Sequence, residues 1–168
     1  PDDTRRVSFL FGGKGQLILT LADRENGYAV CGVEWGSVDE IVLKPDDSYL
    51  LEDHTGFVLN IPLEIGIAEF MGHFEEGDVL ALKDAAGDPV TAGFVGTGMS
   101  VSKYDAQGVL LDRVTAVVRG DLNGDGMVST VDYMRVRKLF AQTYTAAPAE
   151  REAADVNGDG EISSADYI

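Results

Sequence analysis

The stretch DLNGDG at residues 121–126 returns as DVNGDG at residues 155–160, 34 positions later. Aligning residues 120–134 with residues 154–168 gives eight identities in fifteen positions, and most of the remaining pairs are conservative. This internal repeat constrains the chain more than any single element, since each copy is one local unit built twice. Both copies are acidic, both are broken by glycine, and both run on into a matching Asp-Tyr pair.

Counted from its first aspartate, the first copy places Asp121, Asn123 and Asp125 at positions 1, 3 and 5, Gly126 at 6, Ser129 at 9 and Asp132 at 12. The second places Asp155, Asn157, Asp159, Gly160, Ser163 and Asp166 at the same positions. This is the spacing of a twelve-residue calcium loop. Calcium takes about six to eight hard oxygen ligands at roughly 2.3–2.6 Å. Side chains at alternate positions 1, 3 and 5 turn inward as the chain curls, and the glycine at 6 permits the sharp bend. Position 7 offers a backbone carbonyl, here from Met127 or Glu161, and position 9 reaches the ion through water. Position 12 lies in the first turn of a following helix and returns a carboxylate to the ion. The apolar residues at position 8, Val128 and Ile162, are expected to join the loops through a short backbone pairing.

Charge points the same way. Residues 120–168 hold nine acidic and four basic side chains, a net of −5, which two calcium ions would bring to −1. Six carboxylates crowded at two points repel one another without a cation, so the region is expected to be partly or wholly unfolded when calcium is absent. An EF-hand sensor needs a helix entering each loop as well as one leaving it. Before Asp121 stands RVTAVVRG, rich in β-branched residues and ending in glycine, which reads as a strand. Position 12 is Asp in both copies, not the Glu usual in EF-hands. Each unit is therefore expected to be a loop plus an exiting helix, an F-hand, and the second copy has only two residues after Asp166 to build that helix.

Upstream, the chain reads differently. VSFLF, QLILTL, YAVCGVEW and EIVL are short apolar segments parted by turns such as GGKG and ENG, an antiparallel β pattern. LKPDDSY is a turn-rich joint. GFVLNI reads as a strand and LEIGIAEFMGHF as a short helix with Ile65, Phe70, Met71 and Phe74 near one face. DVLALKD, SVSKYD and VLLDRVTAVV read as further strands, and YMRVRKLFAQ and PAEREAAD as helical. The expected organisation is a β-rich segment over residues 1–46, which would serve as the tail of an upstream domain, then a small α+β module over 47–119, then a small all-α unit over 120–168. With 45 % apolar residues in 168, a packed core is expected. The net charge of −16 argues against nucleic-acid partners and anionic lipid, and no apolar run reaches the roughly 18 residues needed to span a bilayer. No leader pattern opens the chain, and PDDTRR reads as interior sequence. Cys31 is expected to be a small buried hydrophobe.

The segments DLNGDGMVSTVDYMRVRKLF and DVNGDGEISSADYI resemble a dockerin, the two-repeat calcium module that plugs enzymes and scaffold proteins into the cohesin domains of cellulosome-type assemblies. GFVLNIPLEIGIAEFMGHF, DAAGDPV, VGTGMSVSKYDAQG and VVRGDLNGDG carry a fainter likeness to the X modules that precede dockerins and are assigned a stabilising role. The resemblance implies calcium-dependent binding to a cohesin, an extracellular setting and a part in polysaccharide breakdown. It also implies a contact face at loop positions 10 and 11 and on the exiting helix: Thr130, Val131, Arg137 and Lys138 in the first copy, Ser164 and Ala165 in the second. A dockerin continues for about another helix past the point where this sequence stops, so the second calcium site is expected to be the weaker.

No catalytic arrangement stands out. His54 lies in a polar turn, His73 ends the expected helix, and no nucleophile, paired carboxylates or further metal spacing accompanies them. The chain is therefore expected not to be an enzyme. Two alternatives remain in different classes: a carbohydrate-binding β module, with Trp35 and Tyr28 as a stacking platform, or the tail of a glycoside hydrolase.

Overall fold

The structure is a computed structural model and describes residues 4–11, 15–24, 27–36, 40–45, 48–77 and 79–167. Three long strands, β1 (Thr4–Phe11), β2 (Gly15–Arg24) and β3 (Gly27–Gly36), form an antiparallel meander in the order β1-β2-β3. They match the three apolar segments first read from the sequence. A bulge interrupts the β2–β3 register, since Thr20 faces Gly32 while Leu21 faces Val30. The extra residue is Cys31. The bulge takes it out of the in-out alternation, so its thiol is exposed and donates to the Thr20 carbonyl at 3.3 Å. The expectation of a buried cysteine is corrected accordingly. Tyr28 is also exposed, with the Arg5 guanidinium 5.4 Å from its ring centre. The Trp35 side chain lies outside the described residues, and the stacking-platform expectation with it.

The second sheet has five strands in the order β4-β5-β8-β7-β6: β4 (Leu50–Glu52), β5 (Phe57–Leu59), β6 (Ala81–Lys83), β7 (Ser100–Tyr104) and β8 (Leu110–Ala116). Neighbours are antiparallel except β5 and β8, which pair in parallel at Phe57–Thr115 and Val58–Ala116. Helix α1 (Ile67–Met71) is confined to five residues between Gly66 and Gly72 and buries Ile67 and Phe70. Phe70 packs on Phe74 edge to face at 5.1 Å and on Tyr49 at 5.9 Å, at the centre of a core with Val58, Val95, Val101 and Val114. The expected strand EIVL is replaced by a single bridge from Leu43 to Phe74. Pro45 follows and cannot donate to a ladder, and the segment lies against the chain after α1, with Lys44 N–H on the His73 carbonyl and Glu75 N–H on the Val42 carbonyl. Ile41 is buried in the same core.

The C-terminal part is helical: α2 (Thr130–Phe140), α3 (Pro148–Ala154) and a 3₁₀ helix, Ser164–Tyr167. Its core contains Leu122, Val136, Leu139, Ala149, Ala153 and Ala154, and it is completed by Leu59 of β5 and Val117, the residue after β8. The helices thus share an apolar cluster with the five-stranded sheet. No helix among the described residues is long and apolar enough to cross a membrane.

Candidate metal centre

The two repeated loops fold by the same hydrogen bonds. At position 1, Asp121 Oδ1 accepts from the N–H groups of Gly124 (2.7 Å) and Asp125 (3.2 Å), and its Oδ2 from Gly126 (3.0 Å). Asp155 accepts likewise from Gly158 (2.8 Å), Asp159 (3.0 Å) and Gly160 (2.8 Å). At position 3, Asn123 accepts from Asp125 N–H and donates its amide to Asp125 Oδ2, and Asn157 does the same with Asp159. At position 5, Asp125 and Asp159 accept from the N–H of Met127 and Glu161. These short side chains satisfy the main chain of their own turn, so a polar six-residue run holds one conformation without a core of its own.

Position 12 closes each loop. Asp132 Oδ1 accepts from the N–H groups of Leu122 and Asn123, both at 2.9 Å, and its Oδ2 accepts from Ser129 N–H at 2.9 Å and Ser129 O–H at 2.8 Å. Asp166 accepts from Val156, Asn157 and Ser163 N–H groups in the same places. Ser129 is also the N-cap of α2, with Asp132 at the third helical position, a capping box that starts the helix where the loop ends. In the second copy, Ser163 accepts from Ala165 N–H and a 3₁₀ helix follows. The expected Val128–Ile162 pairing is not among the backbone hydrogen bonds of the described residues. Val128 is exposed, Ile162 packs against the helical core, and the repeats are joined instead by Gly120 N–H on the Ala153 carbonyl at 2.8 Å.

The carboxylates are enclosed: Asp121 is 0 % exposed, Asp132 1 %, Asp155 8 % and Asp166 7 %. No basic side chain pairs with any of the four among the described ion pairs. Burial pushes the Asp121 carboxyl above its ordinary range, against the lowering effect of its N–H donors, and the Asp132 charge adds to the rise. Buried carboxylates satisfied by N–H groups but not by a counter-charge fit a hard cation. Among the described residues no three His, Cys, Asp or Glu side chains group closely enough to hold an ion by themselves. The donor set of such a loop also draws on Asn, Ser and main-chain oxygens, here Asn123, Ser129 and the Met127 carbonyl, with Asn157, Ser163 and the Glu161 carbonyl in the second copy.

The six residues of the expected contact face, Thr130, Val131, Arg137, Lys138, Ser164 and Ala165, are all exposed. Beside them Met127 and Met134 add exposed apolar surface. Three residues with structural roles at the loops escaped the sequence. Arg119 donates to the Asp155 carbonyl at 3.0 Å, and Arg135 donates to the Leu122 carbonyl at 2.8 Å and pairs with Glu150 at 3.3 Å, so Arg135 is not a freely solvated helix residue. Thr97 N–H donates to Asp121 Oδ2 at 3.0 Å from 24 residues upstream. All three lie in runs that resemble the family, VGTGMSVSKYDAQG, VVRGDLNGDG and DLNGDGMVSTVDYMRVRKLF, but nothing in those runs marked their contacts.

The loop glycines give a graded prediction. Gly126 and Gly160 both adopt left-handed φ, +82° and +85°. A Cβ on Gly160 meets nothing, whereas one on Gly126 would stand 2.6 Å from Phe94 Cβ and 2.8 Å from the Val95 carbonyl oxygen. Gly160→Ala is expected to cost about 1 kcal/mol, the left-handed penalty alone. Gly126→Ala is expected to cost about 3 kcal/mol once the overpacking is added. Urea unfolding in calcium measures both, and equal costs would contradict the structure.

Residues 119–168 match the family model described as the dockerin type I domain. No curated protein and no solved structure matches the chain.

Proposed function

We propose that this chain, whose residues 119–168 form a dockerin type I domain, binds two calcium ions and through them docks onto a cohesin, anchoring a secreted polysaccharide-degrading or scaffold protein. Dockerins are calcium-binding, cohesin-docking modules, and what this chain adds is the residue assignment. In this reading Asp121, Asn123, Asp125, Ser129, Asp132 and the Met127 carbonyl serve the first ion. Asp155, Asn157, Asp159, Ser163, Asp166 and the Glu161 carbonyl serve the second. The observation that carries it is the shared hydrogen-bond pattern of the two loops, with buried carboxylates in both that no basic side chain pairs with among the described residues.

The ion supplies the positive charge that lets the loop carboxylates approach one another. The chain's own residues do the rest. Asp132, held by four donors, ties positions 2 and 3 to the start of α2, so the helix begins at a fixed place and presents Thr130, Val131, Arg137 and Lys138 outward. Arg137 lies 5.7 Å from the Tyr133 ring centre, which limits its swing. We assign the preceding unit a supporting role like that of an X module, and no catalytic role. His73 stacks on Tyr49 at 4.2 Å, and nothing in this reading uses its chemistry.

Asp125→Ala is expected to abolish binding to a panel of type I cohesins at low micromolar calcium while the five-stranded sheet stays folded. A surface-binding assay with the full chain checks it, and binding retained by the variant would contradict the reading.

A further inference from the structure

The duplicated loops act as internal controls for each other, and they differ at the position-1 aspartate. Asp155 Oδ2 accepts one N–H, from Gly160, whereas Asp121 Oδ2 accepts two, from Gly126 and from Thr97 of the preceding unit. Thr97 also fixes the approach to the loop, because its hydroxyl donates to the Val118 carbonyl at 3.1 Å and accepts from Val118 N–H at 3.0 Å. The wall continues on both sides. Glu64 N–H donates to the Gly126 carbonyl at 3.0 Å, and Gly126 lies against Phe94 and Val95. Gly96 and Gly124 meet so closely that a Cβ on Gly96 would fall on the Gly124 carbonyl oxygen. Around the second loop Gly160 faces open space, and the Arg119 guanidinium braces the loop from outside through the Asp155 carbonyl.

We propose that residues 94–97, with Thr97 as the positioning residue, are part of the first calcium site. They hold Asp121 and the Gly124–Gly126 turn in place before the ion arrives. Preorganisation of this kind raises affinity because less chain must be ordered on binding. By linkage the effect is reciprocal, so calcium at the first loop steadies the five-stranded unit that supplies the wall. The inference rests on the calcium assignment above and adds an asymmetry that the repeat alone does not contain.

Gly96→Ala tests it, because the new methyl wedges the wall off the loop. In the full chain carrying Asp159→Ala, which leaves the first site, Gly96→Ala is expected to weaken calcium binding at least tenfold by calorimetry. In the full chain carrying Asp125→Ala, which leaves the second site, it is expected to change binding less than twofold. Gly66→Ala, in the same unit with open space at its Cβ, is expected to leave both unchanged. First-site affinity that survives Gly96→Ala within twofold overturns the proposal. Should Gly96→Ala unfold the unit, amide exchange of the unmodified chain decides. Calcium is expected to slow exchange at Thr97 and Val101 at least tenfold, and protection confined to residues 120–167 overturns the link. An unmodified chain that takes up no calcium overturns the calcium assignment and the link together, whereas uptake of two ions with a silent Gly96→Ala overturns the link alone.

Discussion

Asp132→Ala is expected to cost about 4 kcal/mol of stability in saturating calcium and to remove the first-loop binding event, because it strands four buried or half-buried donors at once. The carboxylate accepts from Leu122, Asn123 and Ser129 N–H groups and from the Ser129 hydroxyl, and it is 1 % exposed. Alanine supplies no acceptor, and the pocket is too enclosed for water to replace every bond. The capping box at Ser129 is broken by the same change, so α2 loses its start as well as its loop. Urea unfolding followed by far-ultraviolet circular dichroism measures the cost. A loss below about 1 kcal/mol would show that the loop closes by other means.

The second large effect lies far from calcium. Phe70→Ala is expected to destabilise the five-stranded unit by about 3–5 kcal/mol, the usual range for removing a fully buried aromatic ring. Phe70 is 0 % exposed and touches both Tyr49 and Phe74, so neighbouring rings on two sides lose a partner and the space does not collapse easily. The effect should appear equally with calcium and with chelator when the sheet is followed by amide exchange at Val58, Val101 and Val114. A cost under about 1.5 kcal/mol would mean that Phe70 does not hold the core together.

The loops were legible because their information is local. Alternating Asp and Asn, a glycine at the sixth position and an aspartate at the twelfth are enough to make each turn satisfy its own main chain. Helices α2 and α3 follow from apolar spacing and from the Ser129 cap. The three long strands of the first sheet were equally plain. What sequence alone could not supply is pairing at a distance. Strand β4 is three residues long and lies between polar turns, and it exists only because β5 accepts it. The parallel contact of β5 with β8 joins residues almost 60 positions apart, which no local pattern encodes. Cys31 escaped alternation because a bulge is set by the partner strand. Thr97 is the sharpest case. It sits in VGTG, a plain turn in the sequence, and it reaches Asp121 through a main-chain N–H that any residue other than proline would offer.

The same division explains the shared core. Leu59 and Val117 look like ordinary strand residues, yet they complete the apolar cluster under α2 and α3. The boundary between the sheet unit and the repeated segment is therefore a change of sequence pattern across which packing continues.

The most direct test of the account is a calcium titration of the full 168-residue chain by calorimetry, with far-ultraviolet circular dichroism on the same samples. The expected result is two binding events and a gain of helical signal as the ions bind. Absence of binding at millimolar calcium would contradict it.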